Sequence, residues 1–425
     1  MSSNVEAFLN QLHHPALASI DLSLDRMHRL LGLLGSPHKR LPPVIHVAGT
    51  NGKGSLMANL YAIFDRAGYS VHRYTSPHLV RFSERIMLNG KEIDNAYLEK
   101  LLRHVAPILQ QQPATFFEAT TALAYLAFAE HKADVLLLET GMGGRLDATN
   151  VIDKPLLTAI TPIAMDHMEY LGDSLEKIAP EKAGILKKGV PCVVGKQEAI
   201  ALSIIEKTAS ELGAPLYCEG KDWSHDAGNY RSAKRSLTFK PALAGAYQYD
   251  NAAMAIACVD QLVDFSISDE HIVSGIAKAH WPARLQNITA QAGMPNDIEL
   301  WLDGGHNPQG GQVLADWCAA QTKEITLICA MMKDKDSKAF LAPMAPHVKK
   351  LYAVAIDGEA GSKTAEQLKT AASEAGIAAE AMPSFQKALQ TATHHATTGS
   401  IICICGSLYL AGKILATLEG TRHAG

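Results

Sequence analysis

The chain has 425 residues, of which 47% are apolar and 19% charged, so it holds enough carbon to offset chain entropy by burial and does not read as disordered. At roughly 150 residues per domain, that length implies two or three packing units rather than one core. Lys plus Arg (39) against Asp plus Glu (43) leaves a net charge of −4, which offers no broad positive field to a nucleic-acid backbone.

The opening residues Met1 to Glu6 have neither a basic region nor an apolar run, so secretion is not indicated and a cytoplasmic protein is expected. The longest apolar stretch, Ala122 to Ala129, ends at Glu130 and is too short to span a bilayer. Seven scattered cysteines (Cys192, Cys218, Cys258, Cys318, Cys329, Cys403, Cys405) read as reduced core thiols.

In chain order, Val44–Ala48 reads as a strand, residues 53–67 as a helix and Val71–Tyr74 as a second strand, which is the rhythm of parallel βαβ units. Residues 84–93 read as a hairpin turning at Asn89-Gly90. Val135–Leu138, Leu156–Ile160 and Cys192–Val194 extend the same sheet. Apolar periodicity lapses between Arg284 and Asp297, then restarts with strands at Ile298–Leu302, Ile325–Cys329, Leu351–Ile356 and Ile401–Cys405. This predicts a first domain over 1–285, a linker over 286–297 and a second α/β domain over 298–425.

Chemistry-bearing residues fall where these strands end. Gly49-Thr50-Asn51-Gly52-Lys53-Gly54-Ser55 follows the first strand and opens a helix, the context in which backbone N–H groups and a lysine cradle phosphate. The match to G-x-x-x-x-G-K-[ST] is imperfect, since Val47 stands at the first glycine and Gly54 separates Lys53 from Ser55. The alternative is a tight glycine turn capping a helix. No Asn-Lys-x-Asp motif follows, which favours adenine over guanine. Ser76, after the second strand, is either a metal ligand or a loop serine. Glu139 brings a carboxylate to the phosphate-loop edge, suited to Mg²⁺ or simply solvated. Asp166-His167 and Lys182 have a bland surface reading, and zinc is unsupported because no Cys-x-x-Cys or His-Glu-x-x-His is present. In the second domain, Asp303 to Pro308 and Gly406 to Tyr409 lie at strand ends, and Lys333 to Asp336 reads as a solvated charge run.

Taken together, His46 to Ser55, Thr75-Ser76-Pro77-His78-Leu79, Glu139 with Gly143 to Asn150, Glu181 to Ile185, His306-Asn307-Pro308 and Gly406-Ser407-Leu408 closely resemble the folylpolyglutamate synthases. Among these the resemblance is strongest to the bacterial bifunctional dihydrofolate synthase/folylpolyglutamate synthases of the Mur ligase superfamily. The motifs run in family order from about residue 20 to about residue 410. Two departures are Ala283, where a glycine is common, and Gly304-Gly305 before His306.

The resemblance implies an α/β fold, with a P-loop-type ATPase domain of mostly parallel sheet followed by a smaller Rossmann-like domain. It implies an ATP-dependent ligase that joins L-glutamate to dihydropteroate, and further glutamates to tetrahydrofolate polyglutamates, through an acyl phosphate. It implies ATP contacts at Thr50, Asn51, Gly52, Lys53, Gly54, Ser55, Asn251, Arg284 and Asp303, one Mg²⁺ at Ser76 and Glu139, and a second at His167. Lys53, His167 and Lys182 would be catalytic, with Lys182 carried as a carbamate. Asp21, Leu22, Thr115, Phe116, Phe117, Glu118, Leu146, Asp147 and Ala148 match the pteroate site, and His306 and Ser407 the glutamate site. A monomer that binds neither nucleic acid nor membrane is expected.

Overall fold

The computed structural model describes residues 23–295 and 297–422. The chain divides into a first unit that ends at Ala242 and also takes Tyr249–His280, and a second made of Leu243–Gln248 and the residues from Trp281 onward.

The first unit begins with α1 (Asp25–Leu33), β1 (Val44–Ala48), α2 (Lys53–Arg66), β2 (Val71–Tyr74), β3 (Ile86–Leu88) and β4 (Lys91–Glu92). It continues through α3 (Asn95–Gln111), α4 (Phe116–Glu130), β5 (Val135–Glu139), β6 (Leu157–Ile160), α5 (Met168–Leu171), α6 (Leu175–Ala183), β7 (Cys192–Val194), α7 (Ala199–Leu212) and β8 (Leu216–Cys218). A small antiparallel sheet of β9 (Trp223–Asp226), β10 (Asn229–Ser232) and β11 (Ser236–Thr238) precedes α8 (Tyr247–Asp260) and α9 (Asp269–Ile276).

Strands β4-β3-β2-β5-β1-β6-β7-β8 form one sheet, parallel from β2 to β8, with the predicted Asn89-Gly90 hairpin antiparallel at its edge. Alternation explains why both faces are buried: Ile45, Val47, Val135 and Leu137 pack on one side with α2 and α8, while Val44, Leu136 and Leu138 pack on the other with α1, α3 and α4. Helix starts follow local chemistry. Asp94 accepts from Ala96 N and Tyr97 N at the head of α3, and Ser268 accepts from His271 N at the head of α9. Asp260, buried at the end of α8, accepts from Tyr230 Oη, Ser232 Oγ and Arg235 Nε at 2.7–2.9 Å and so holds the small sheet in place.

The second unit contains β12 (Gln286–Asn287), β13 (Glu299–Leu302), α10 (Pro308–Ala319), β14 (Ile325–Cys329), α11 (Ser337–Leu341), β15 (Lys350–Ala353), α12 (Ala365–Glu374), β16 (Ala379–Ala381), α13 (Phe385–His395), β17 (Ile401–Cys405) and α14 (Leu408–Arg422). Its sheet runs β12-β13-β17-β14-β15-β16 and is parallel apart from β12. The span expected as a linker therefore differs: Gln286 and Asn287 pair with Leu302 and Trp301, because an edge strand needs only two residues and no periodic run. The seven cysteines are free and buried, as expected. No helix among the described residues is long and apolar enough to cross a membrane.

The helix that opens at the phosphate loop is seated against α9 backbone to backbone. A Cβ on Gly275 would stand 2.7 Å from Ile63 Cα and 2.8 Å from Ile63 N, closer than carbon packing allows. Gly275→Ala is expected to push α9 off α2 and destabilise the first unit by about 1–3 kcal/mol in urea unfolding. An unchanged unfolding midpoint would contradict this packing.

Candidate active site

In the first unit β1 lies between β5 and β6, so the strand order reverses there and the loops after β1, β2, β5 and β6 leave one sheet edge. The loop after β1 is shaped by two glycines. Gly49 has φ 144° and a Cβ on it would lie 1.8 Å from Thr161 Oγ1; Gly52 has φ 90° and a Cβ on it would lie 2.5 Å from Asn251 Oδ1. Any side chain at either position collides. Asn251 is thus brought to the phosphate loop from α8, and Thr161 forms its other wall.

The loop is anchored sideways rather than left open. Thr50 N and Asn51 N donate to Pro162 O at 3.0 and 3.4 Å, and Thr50 Oγ1 donates to Ala164 O while accepting from Ala164 N, both at 3.0 Å. These two N–H groups point at protein, whereas those of Lys53, Gly54 and Ser55 precede the first ladder bond of α2, Leu56 N to Gly52 O, and carry the positive end of the helix. Thr161, Pro162 and Ala164 were not singled out in the sequence. Their only signal was position after a predicted strand.

Charge is concentrated around one carbonyl. Lys53 Nζ donates to Gly49 O at 3.1 Å and Lys182 Nζ donates to the same oxygen at 2.9 Å. Lys182 is only 4% exposed, so the surface reading is corrected. Burial, with the Lys53 charge added, pulls its amine down to about 7, against the opposing pull of Asp166 and Asp147. Glu139 ends β5 with its carboxylate 3.9 Å from Lys53 Nζ and accepts from Ser76 N at 3.1 Å; it is buried, not solvated. His167, with φ 49°, heads α5; its Nε2 lies 3.9 Å from Asp166 Oδ2 and its side chain is exposed.

The pteroate-type residues divide by role. Thr115, Phe116 and Phe117 are half-buried at the head of α4. Phe116 meets Phe82 edge-on at 6.2 Å under the Arg85 guanidinium, 5.4 Å from the ring centre, and Phe117 lies beside Tyr74. Asp147 points inward, accepting from Met142 N and from Thr149 N and Oγ1. Thr149 Oγ1 also meets His46 Nε2 at 2.9 Å, and full burial drops that imidazole to about 3 and keeps it neutral. Leu146 and Ala148 flank Asp147 in this loop. Asp21 and Leu22 lie outside the described residues.

In the second unit the parallel sheet does bring strand-end loops together. Asp303 Oδ2 accepts from Leu285 N at 2.9 Å and Oδ1 from Gly305 N at 2.7 Å. This pins the Ala283-Arg284-Leu285 segment, whose Ala283 and Leu285 have φ of 54° and 43°. Arg284 Nη1 donates to Ala283 O. His306 Nδ1 lies 2.9 Å from Gly304 O, and Gly406 N donates to Gly305 O at 3.1 Å, so the His306 and Ser407 loops are joined. Ser407 Oγ accepts from Tyr409 N and Leu410 N at the head of α14. The Lys333 to Asp336 run is not simply solvated: Lys335 is 14% exposed beside Asp334, and Asp336 caps α11 through Ala339 N.

Among the described residues, one further group has metal-ligand chemistry: Glu219, His225 and Asp250, with ligand atoms within 4.8 Å of one another. His225 Nε2 lies 2.9 Å from Asp250 Oδ1, and that hydrogen bond holds its imidazole above the usual range. The triad reads as a histidine held between two carboxylates, with Glu219 Oε1 3.7 Å from the same nitrogen.

The family model described as Mur ligase middle domain matches residues 47–259, and that described as dihydrofolate synthetase, C-terminal domain, matches residues 286–417. The chain is 37% identical over 334 residues, 73% of its own length and 76% of the relative's, to the dihydrofolate synthase/folylpolyglutamate synthase of Bacillus subtilis (strain 168). It is similar to the structure of Escherichia coli FolC in complex with DHPP and ADP, at 30% identity and a TM-score of 0.89 over 99% of both chains. It is also similar to the bifunctional folylpolyglutamate synthase/dihydrofolate synthase of Yersinia pestis complexed with AMPPNP and Mn ion, at 32% identity and a TM-score of 0.88 over 98% of both.

The Lys182 environment has a signed consequence for stability. A lysine held near 7 in the fold, against 10.5 when free, binds fewer protons folded than unfolded between those values. Its destabilising effect is absent above 10.5, grows as pH falls and is complete below about 7. Lys182→Met is therefore expected to raise the urea midpoint more below pH 7 than near 10.5; equal gains at both would refute the assigned environment.

Proposed function

The chain belongs to the dihydrofolate synthase/folylpolyglutamate synthase family of the Mur ligase superfamily, a family of ATP-dependent ligases, and from that premise we propose how its own residues divide the work. Its acceptors are dihydropteroate, giving dihydrofolate, and the γ-carboxyl of tetrahydrofolate polyglutamates, each extended by L-glutamate. The observation that carries this reading is the convergence of Lys53, Lys182 and Glu139 at the mouth of a strand–glycine loop–helix unit.

A carboxylate does not react with an amine at neutral pH, because its oxygen is a poor leaving group. ATP removes that obstacle by transferring its γ-phosphoryl group to the acceptor carboxylate, giving an acyl phosphate and ADP. The helix mouth at Lys53, Gly54 and Ser55 holds the phosphates, and the Lys53 ammonium faces the charge that builds on the transferring group. Thr50, Asn51 and Gly52 set the loop's shape, with Asn251 beside it; Arg284 and Asp303 are assigned as further nucleotide contacts. The glutamate amine, received by His306 and Ser407, then attacks the acyl carbon and phosphate departs.

The donor set fits a hard divalent cation: the Glu139 carboxylate is buried at the strand end with Ser76 bonded to it, and both offer oxygen. Ser76 and Glu139 would hold one Mg²⁺ and His167 a second. Bound there, the cations supply Lewis-acid neutralisation of phosphate charge. The lowered pKa of Lys182 favours its neutral amine, the form that would take up CO₂ with loss of a proton as a carbamate, turning a cation into an anion. The half-buried rings of Phe116 and Phe117 give a flat apolar surface for the pteroate ring, with Leu146, Asp147 and Ala148 from the neighbouring loop. The seven buried free thiols suit a reducing cytoplasm, where the chain acts as a monomer.

The deciding measurement is ADP release with dihydropteroate and with tetrahydrofolate, each with and without glutamate. Glutamate-stimulated release is expected with both acceptors; release indifferent to glutamate would point to a nucleotide-dependent binding module and overturn the ligase assignment. Lys53→Ala is expected to lower turnover by at least about 100-fold, and full activity in that variant would contradict its role. Ser407→Ala should raise the KM for glutamate about tenfold while leaving that for ATP unchanged; the opposite pattern would move Ser407 to the nucleotide.

A further inference from the structure

The carboxylate of Glu118, carried in the resemblance as part of the pteroate site, is held by protein donors. Its Oε2 accepts from Thr115 N at 2.7 Å, from Thr115 Oγ1 at 2.8 Å and from Arg26 Nε at 2.7 Å, and its Oε1 accepts from Arg26 Nε at 2.9 Å. Three donor hydrogens meet this carboxylate, two from Thr115 on Oε2 and the Arg26 Nε–H shared between both oxygens, so most of its acceptor capacity is spent within the protein. Its side chain is 8% exposed and that of Arg26 is 16% exposed, whereas Thr115, Phe116 and Phe117 are half-exposed around it.

The partner comes from a distant stretch. Arg26 lies on α1, 92 residues before Glu118, and the pair joins α1 to the first turn of α4. That turn is a reciprocal capping box, in which Thr115 Oγ1 also accepts from Glu118 N at 3.2 Å. The rings of Phe116 and Phe117 leave the helix from this turn. Phe117 is held close enough to Gly141 that a Cβ there would stand 2.4 Å from Phe117 Cζ. Rotation of the turn would displace both rings, and the Arg26 guanidinium opposes that rotation through Glu118.

We propose that Arg26 is a positioning residue for the pteroate site: it acts through Glu118 to fix the first turn of α4 and thereby the Phe116–Phe117 surface, and neither Arg26 nor Glu118 touches the pteroate ring. This rests on the reading of Thr115–Phe117 as that site. The pair is ionic and nearly dry, so truncating the cation leaves a buried carboxylate without its counter-charge, and the turn relaxes locally.

The test is steady-state kinetics on the full chain with Arg26→Ala, Arg26→Lys, Glu118→Gln and the double variant Arg26→Ala/Glu118→Gln, with thermal unfolding and amide exchange at Thr115–Glu118 read in parallel. Arg26→Ala is expected to raise the KM for dihydropteroate about tenfold, with kcat and the KM for ATP within about twofold, and to speed exchange of the α4 first-turn amides. Arg26→Lys keeps the charge and should fall between, which a general loss of folding would not produce. Because the two residues act as one device, the double variant should be no worse than Arg26→Ala alone. Independent, multiplying effects on the dihydropteroate KM would show direct contact and overturn the proposal, as would an unchanged KM in Arg26→Ala when the unaltered chain turns over normally. Absence of dihydropteroate-dependent ADP release from the unaltered chain would instead overturn the parent function, and this role with it.

Discussion

Two ammonium groups meet on the carbonyl of Gly49, Lys53 at 3.1 Å and Lys182 at 2.9 Å. Like charges this close in a buried place cannot both be fully favourable. Glu139 offsets part of the repulsion from 3.9 Å on the Lys53 side, while burial first, and the Lys53 charge second, bring the Lys182 amine down to about 7. Lys182 thus becomes a weakly basic amine, while Lys53 keeps the Glu139 carboxylate beside it. Gly49 permits this because it has no side chain: a Cβ would overlap Thr161, and the loop could not lie flat enough for both lysines to reach its carbonyl.

The same economy of polar groups runs through both units. Carboxylates that look chemically available in a linear chain are mostly engaged with backbone N–H groups. Asp303 ties Leu285 to Gly305, Asp147 holds Met142 and Thr149, and Asp336 caps α11. Ser407 likewise heads α14 through two N–H groups. Glu139 differs because its oxygens face a lysine and the Ser76 loop rather than closing a turn. Such side-chain to backbone bonds hold the loops they bridge in one geometry, which site chemistry requires.

Much of this was legible beforehand. The βαβ rhythm around Val44–Ala48 and Val71–Tyr74, the Asn89-Gly90 hairpin and the four main strands of the second sheet depend on local periodicity and turn chemistry, which a linear chain displays directly. The short strands β8 to β12 and β16 were not legible: they lack the paired β-branched residues that mark comparably short β7 (Cys192–Val194). Arg26 also escaped notice, because an arginine on an amphipathic helix gives no sign of the partner it will find 92 residues later.

By itself the chain determined the parallel architecture, the glycine loop and the residue types gathered at strand ends, because these follow from side-chain period, missing Cβ atoms and the rule that ligands collect at carboxyl edges. Only the tertiary structure decided which polar groups face chemistry and which face backbone. Burial, a neighbouring charge and saturation by N–H donors are properties of three-dimensional surroundings, and they separate Lys182 from a surface lysine and Glu118 from a ligand.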